Sequence, residues 1–129
     1  MKKLRNEIKK EKVIEACKFA DVDNNIVDFI DGYKTLVGER GVTLSGGQKQ
    51  RLCLARTIIK NPDIYIFDEA TSNIDVESEE KIWESIEKLS KDKTVIIISH
   101  RLLNVKNADT IYMLENGVIA ESGNHNELM

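Results

Sequence analysis

The feature that most constrains the fold is a pair of continuous apolar runs separated by a charged segment with helical periodicity. The runs are residues 64–67 and 94–98, and residues 76–89 between them carry apolar side chains at helical spacing. Apolar runs of this length without polar alternation are typical of strands that are buried on both faces. A strand, a helix and a second strand in this order predict a right-handed crossover and a parallel sheet. We therefore expect an α/β fold.

Three helices are predicted within residues 1–60. Apolar residues at helical spacing from Leu4 to Phe19 predict one amphipathic helix that ends near Ala20. Turn-forming residues at 21–25 interrupt it, and residues 26–30 predict a second helix that ends at 31–32. A third helix is predicted over residues 48–60, ended by Asn61-Pro62. Four of its apolar residues recur at helical spacing and are expected to pack inward: Leu52, Ala55, Ile58 and Ile59.

A hairpin is predicted near the end of the chain. Residues 111–114 and 118–120 flank Glu115-Asn116-Gly117, and Asn-Gly favours a tight two-residue turn. The two cysteines, Cys17 and Cys53, each lie among apolar residues at helical spacing, which favours buried free thiols over a disulfide.

The start of the third helix has the character of an anion site. Ser45 is a favourable N-cap, and Gly46 and Gly47 allow a ligand to approach the backbone. The first turn of a helix points unpaired N–H groups outward, where the macrodipole favours an anion. The alternative is a capped surface helix that follows a Gly-Gly turn.

Five segments together resemble the ATP-binding cassette (ABC) family, and the resemblance covers nearly the whole chain. Residues 44–51 resemble the signature motif, and residues 64–69 resemble the Walker B motif with the acidic residue that follows it. Residues 71–75 are similar to the D-loop, residues 99–101 to the switch-histidine segment, and residues 31–41 to the lead-in of exporter-type cassettes. The resemblance implies the C-terminal half of a nucleotide-binding domain with a P-loop NTPase-like fold. Residues 1–60 would be the helical signature subdomain and residues 61–129 part of the ATPase core.

The phosphate-binding P-loop, or Walker A motif, is not found among the 129 residues. It requires Gly-x-x-x-x-Gly-Lys-Ser/Thr, in which backbone amides and the lysine hold the phosphates. Gly41 and Gly46 have the required separation, but Gly47 and Gln48 follow them. We therefore expect this chain alone not to hydrolyse ATP.

The resemblance also implies residue roles in ATP hydrolysis with Mg²⁺. Asp68 would help to hold the metal, Glu69 would polarise the attacking water, and His100 would contact the γ-phosphate. Asp75 would couple the two sites of a dimer. The γ-phosphate of ATP seated on a second cassette would be bound by Ser45, Gly46 and Gly47, with Gln48 nearby.

Two functions are compatible with these motifs. The first is part of an exporter cassette that hydrolyses ATP together with a second cassette and transmembrane domains, at the cytoplasmic face of a membrane. The second is a non-catalytic module that lends its signature helix in trans to a complete cassette. A soluble ABC ATPase of repair or translation is disfavoured by the lead-in at 31–41. The net charge of −3 argues against non-specific binding of nucleic acid.

Overall fold

The computed structural model describes residues 8–129, so that Leu4 of the predicted first helix lies outside the described residues. The described residues divide into two compact units. The first unit contains those up to Tyr65 together with Ala70–Ile96, and the second contains Ile66–Glu69 and Ile97–Met129. Within residues 8–129, no helix is both long and apolar enough to cross a bilayer.

Four α-helices account for most of the first unit: α1 (Lys10–Phe19), α2 (Asp23–Val27), α3 (Gly46–Lys60) and α4 (Val76–Ser90). Helix α3 packs against α1 and α4. The buried apolar side chains of these helices and of the turn after α1 form the core: Ala16, Cys17, Ala20, Val22, Leu54, Ala55, Ile82, Ile86 and Leu89. The predicted ends of α1 and α3 are confirmed, and α3 ends at Asn61 in the left-handed conformation (φ 46°).

The predicted second helix has the wrong boundaries. It begins at Asp23 and ends at Val27, and a 3₁₀ turn follows at Gly32–Lys34. The chain turns between the two helices over residues 20–22, where Asp21 adopts a φ of 53°. Asp23 instead lies in the first turn of α2, where a carboxylate interacts favourably with the helix dipole.

Strands β1 (Ile64–Asp68) and β2 (Thr94–Ile98) pair in a two-stranded sheet. The Thr94 N–H donates to the Asp63 carbonyl at 3.1 Å where both strands begin, and the Glu69 N–H donates to the Ile98 carbonyl at 3.0 Å where both end. The strands are therefore parallel, as predicted.

The expectation that both faces of these strands are buried is wrong. Ile64, Ile66, Ile96 and Ile98 are 55%, 65%, 46% and 50% exposed, whereas Tyr65 is 3% exposed. One face is therefore covered and the other is open. Among the described residues the sheet contains no third strand, and nothing within this part of the chain covers the open face.

The predicted hairpin is confirmed as β3 (Ile111–Glu115) and β4 (Val118–Gly123), which pair antiparallel. Asn116 and Gly117 both adopt positive φ angles, of 51° and 81°, as a tight two-residue turn requires. The register shifts between Met113 and Leu114, where the strand pair is irregular. The short helix α5 (His125–Leu128) follows, with Asn124 and Glu127 in a reciprocal capping box.

The inward face of α3 differs in part from the predicted one. Its buried residues are Gly47, Arg51, Leu54 and Ala55. Leu52, Ile58 and Ile59 are half-buried. The thiols of Cys17 and Cys53 are both free, but only that of Cys17 is buried, so the prediction for Cys53 is wrong. Cys53 lies on the outer side of α3 because the inner face follows the row that starts at Gly47.

Candidate functional site

The start of α3 forms the capping arrangement that the sequence predicts. The Ser45 hydroxyl accepts a hydrogen bond from the Gln48 N–H at 3.1 Å, and the Gln48 side-chain oxygen accepts one from the Ser45 N–H at 3.0 Å. Ser45 and Gly46 are exposed, whereas Gly47 is buried. Because the hydroxyl uses an oxygen lone pair for the cap, its hydrogen remains able to donate to an anion in front of the helix.

Asp75 caps α4, the next long helix, and lies close to the start of α3 at residues 45–48, which we call the signature turn. Its Oδ1 accepts from the Ser78 N–H at 2.9 Å. The backbone and hydroxyl hydrogen bonds from Ser78 lower the pKa of Asp75, and the positive charge of Arg51 adds a smaller effect. A Cβ placed on Gly47 would lie 3.3 Å from Asp75 Oδ2. The first unit therefore brings Ser45–Gln48 and Asp75, which are predicted site residues, into one neighbourhood.

The second unit places the other predicted residues at the ends of β1 and β2. Asp68 is the last residue of β1 and is exposed. Glu69 follows in the left-handed conformation, with a φ of 50°, and its N–H donates to the Ile98 carbonyl. A non-glycine residue in this region of backbone conformation is strained by about 1–3 kcal/mol and must be held there by its surroundings.

The Glu69 carboxylate contacts the His100 imidazole. His100 Nδ1 is 2.9 Å from Glu69 Oε1 and 2.8 Å from Oε2. The His100 side chain is 70% exposed and that of Glu69 39%. An ionised carboxylate only accepts hydrogen bonds, so in that state Nδ1 carries a proton and Nε2 remains available to a ligand.

A small turn holds the backbone around His100. The Ser99 hydroxyl oxygen accepts from the Arg101 N–H at 3.0 Å and from the Asn104 side-chain amide at 3.4 Å. These two bonds join Ser99, which precedes His100, to Arg101 and Asn104, which follow it.

The residues of the second unit fit a magnesium ion only as minor ligands. Among residues 8–129, no three carboxylate, imidazole or thiol groups lie close enough together to form a metal site. Asp68 provides one exposed carboxylate. Mg²⁺ normally keeps several waters and takes one or two protein carboxylates together with substrate phosphates. The donor set therefore suits a metal that is carried by nucleotide phosphates.

Two residues of the first unit, close to Gly47 and Asp75, were not predicted to belong to the site. Arg51 and Ser78 connect α3 to the start of α4, with Arg51 Nη1 donating to the Ser78 hydroxyl at 3.2 Å. A signal for Arg51 was present, because it follows Gly47 by four residues and precedes Leu54 by three, on the buried face of α3. A signal for Ser78 was its position three residues after an aspartate at a helix start.

Comparison with known proteins identifies the family. A sequence model described as "ABC transporter" matches residues 2–72, which is more than half of the chain. The putative multidrug export ATP-binding/permease protein YgaD of Bacillus subtilis is 53% identical over 119 residues, covering 92% of this chain and 20% of that protein. ABC transporter B family member 4 of Dictyostelium discoideum is 54% identical over 119 residues, covering 92% of this chain and 16% of that protein.

A solved structure agrees in fold. The chain superposes on a bacterial Atm1-family ABC exporter with ATP bound, with a TM-score of 0.84 and 41% identity. The matched region covers 95% of this chain and 22% of the exporter chain. The chain thus spans about a fifth of the length of the relatives that it matches. The α/β fold predicted from the sequence is confirmed, as is its assignment to part of an exporter nucleotide-binding domain. This chain belongs to the ABC transporter family.

Proposed function

We propose that this chain takes part in binding and hydrolysing ATP with Mg²⁺ within an exporter. The observation that carries the proposal is the contact between the Glu69 carboxylate and His100 Nδ1 at 2.8–2.9 Å, directly after two paired parallel strands. In open parallel sheets, ligands gather at the carboxyl ends of the strands. A carboxylate and an imidazole presented there together can orient a water molecule and contact a phosphate.

Each residue of this group has a distinct proposed role. Glu69 accepts a proton from the attacking water, and His100 uses its exposed Nε2 to contact the γ-phosphate while Nδ1 holds the carboxylate in place. Asp68 contributes a carboxylate to the environment of the metal. Bound Mg²⁺ would neutralise charge on the phosphate oxygens. The left-handed backbone at Glu69 fixes the origin of its side chain beyond the strand end.

The signature turn is proposed to act on a nucleotide held by a second cassette. Ser45 and Gly46 are exposed at a helix start that favours an anion, and the buried Gly47 continues its first turn. Gln48 completes the cap that keeps this start ordered. Asp75 would couple the two sites. In this proposal residues 1–60 form the helical subdomain and residues 61–129 belong to the ATPase core.

The complete assembly is proposed to contain two cassettes and transmembrane domains, with this chain at the cytoplasmic face of the membrane. Support comes from the names of its relatives, which include a putative multidrug export ATP-binding/permease protein and an ABC exporter with ATP bound.

The test is hydrolysis of ATP by the complete transporter polypeptide that carries this chain. Glu69→Gln keeps the size of the side chain and one acceptor oxygen but removes the base. We expect kcat to fall by roughly 10²–10⁴-fold, the usual contribution of a general base, while the nucleotide still binds. Glu121→Gln, an exposed carboxylate on β4, is the matched control and should retain full activity. Unchanged hydrolysis by Glu69→Gln would refute the proposed role.

A further inference from the structure

Arg51 is a buried cation whose observed hydrogen-bond acceptors are neutral. The residue is 5% exposed. Its Nη1 donates to the Ser78 hydroxyl at 3.2 Å and its Nη2 donates to the Asn25 side-chain oxygen at 3.3 Å. Its Nε has no hydrogen-bond partner among the described residues. Burying a guanidinium without a directly bonded carboxylate is costly, and a well-packed apolar residue usually stabilises such a position better.

Ser78 connects this cation to Asp75. The Ser78 N–H donates to Asp75 Oδ1 at 2.9 Å, while the Ser78 hydroxyl accepts from Arg51 Nη1 at 3.2 Å. Arg51 therefore acts on Asp75 through one shared residue, with the Ser78 side chain bonded to the guanidinium and the Ser78 backbone bonded to the carboxylate.

A second contact joins the same two helices one turn earlier. A Cβ on Gly47 would lie 2.1 Å from Ser78 Oγ and 2.4 Å from Ser78 Cβ, so the backbone of α3 lies directly against this serine. Gly47 and Arg51 are four residues apart and share one face of α3. The start of α4 is thus held at two successive turns of the signature helix.

We propose that Arg51 is a positioning residue that holds Asp75 and the first turn of α3 as one rigid block. The inference rests on the proposed function, in which the signature turn acts on nucleotide held by a second cassette and Asp75 couples the two sites. A block of this kind presents the signature turn and Asp75 together, so a displacement of one displaces the other. Arg51 itself is buried and acts only through its neighbours.

The experiment measures kcat and KM for ATP hydrolysis by the complete transporter, with thermal unfolding recorded for every variant. Arg51→Lys keeps the charge but loses the two-armed geometry, and Arg51→Met removes both the charge and the donors. We expect kcat to fall by roughly ten- to a hundredfold in Arg51→Met, as small displacements of reacting groups commonly cause, with a smaller fall in Arg51→Lys. KM should change little. Arg56→Lys, on the exposed side of α3, is the matched control.

A double-mutant cycle separates positioning from general stability. If Arg51 acts through Asp75, then Arg51→Lys combined with Asp75→Asn should lower kcat no further than the more damaging single change. Independent, multiplying effects would overturn the inference, as would a loss of thermal stability in Arg51→Lys without any loss of kcat. If the arginine variants do not fold, the same double-mutant cycle is measured with Ser78→Ala in place of Arg51→Lys. Ser78→Ala removes the hydroxyl that Arg51 contacts and leaves the cation in place.

The outcome also distinguishes this inference from the proposed function beneath it. Hydrolysis that survives Glu69→Gln would remove the proposed function itself. Hydrolysis that is abolished by Glu69→Gln but unaffected by Arg51→Lys, Arg51→Met and Ser78→Ala would leave that function standing and overturn the positioning role.

Discussion

The two adjacent glycines of the signature turn should respond in opposite ways to the same added methyl group. At Gly47 a Cβ would lie 2.1 Å from Ser78 Oγ, well inside the 3.4 Å at which ordinary contact begins. At Gly46 the nearest atoms would be Ile74 Cγ2 at 3.5 Å and the Asn73 carbonyl oxygen at 3.7 Å, which are ordinary contacts. Gly46→Ala is therefore a matched control for Gly47→Ala.

The change in the free energy of unfolding follows from one stabilising effect and two destabilising ones. Alanine in place of glycine stabilises a helix interior by about 0.5–1 kcal/mol, which is the upper limit for Gly46 and Gly47 at the first two positions of α3. Overpacking at a buried contact costs about 1–3 kcal/mol, which applies only to Gly47. Turning the Ser78 side chain away would leave buried hydrogen-bonding groups unpaired, at a further cost of about 1–3 kcal/mol. We expect Gly47→Ala to lower the free energy of unfolding by about 1–5 kcal/mol and Gly46→Ala to leave it equal or higher.

The assay is urea unfolding of the chain, followed by the fluorescence of Trp83, its single tryptophan, which lies in α4. Combining Gly47→Ala with Ser78→Gly should recover part of the loss because the clashing atoms are removed. A Gly47→Ala variant as stable as Gly46→Ala would refute the packing argument. In the complete transporter Gly46→Ala should lose ATP hydrolysis although it folds normally, since the methyl group would occupy the proposed phosphate approach.

Three further predictions concern charge, surface and activity. The lowered pKa of Asp75 means that its carboxylate stabilises the fold above about pH 4, and that this contribution is lost as the pH falls through the lowered pKa. The Tm difference between wild type and Asp75→Asn should accordingly vanish in acid, and a pH-independent difference would contradict this. The open sheet face should make the isolated chain self-associate, and Ile66→Lys should reduce this association in size-exclusion chromatography; a sharp monomer peak for the unmodified chain would be evidence against it. Finally, the purified 129-residue chain should show no Mg-ATP hydrolysis, because it has no Gly-x-x-x-x-Gly-Lys-Ser/Thr sequence; turnover that Glu69→Gln abolishes would contradict this.

Local patterns predicted most of the elements correctly because their causes are local. Ser45 caps α3 through a residue three positions away, and Asn116-Gly117 permits the positive φ angles of the hairpin turn without help from elsewhere. The apolar run at 94–98 likewise has a strong preference for a strand. The assignment of α3 and β2 therefore required no knowledge of the rest of the fold.

Features that depend on distant partners could not be predicted in this way. The pattern at 64–67 shows that these side chains favour burial, but it does not say whether a covering element lies within the described residues. The burial of Arg51 depends on Asn25 and Ser78, which are 26 and 27 positions away in the sequence. The contact between Glu69 and His100 spans 31 positions, and only the family resemblance suggested that they belong to one site.

The left-handed backbone at Glu69 determines how the results of a saturation mutagenesis screen should be interpreted at this position. Glycine, asparagine and aspartate tolerate a φ of 50°, whereas valine and isoleucine meet steric conflict between Cβ and the backbone. Inactive alleles with β-branched residues would therefore combine a chemical defect with a folding defect. Only the permissive substitutions, together with the near-isosteric glutamine, would report the contribution of the carboxylate itself.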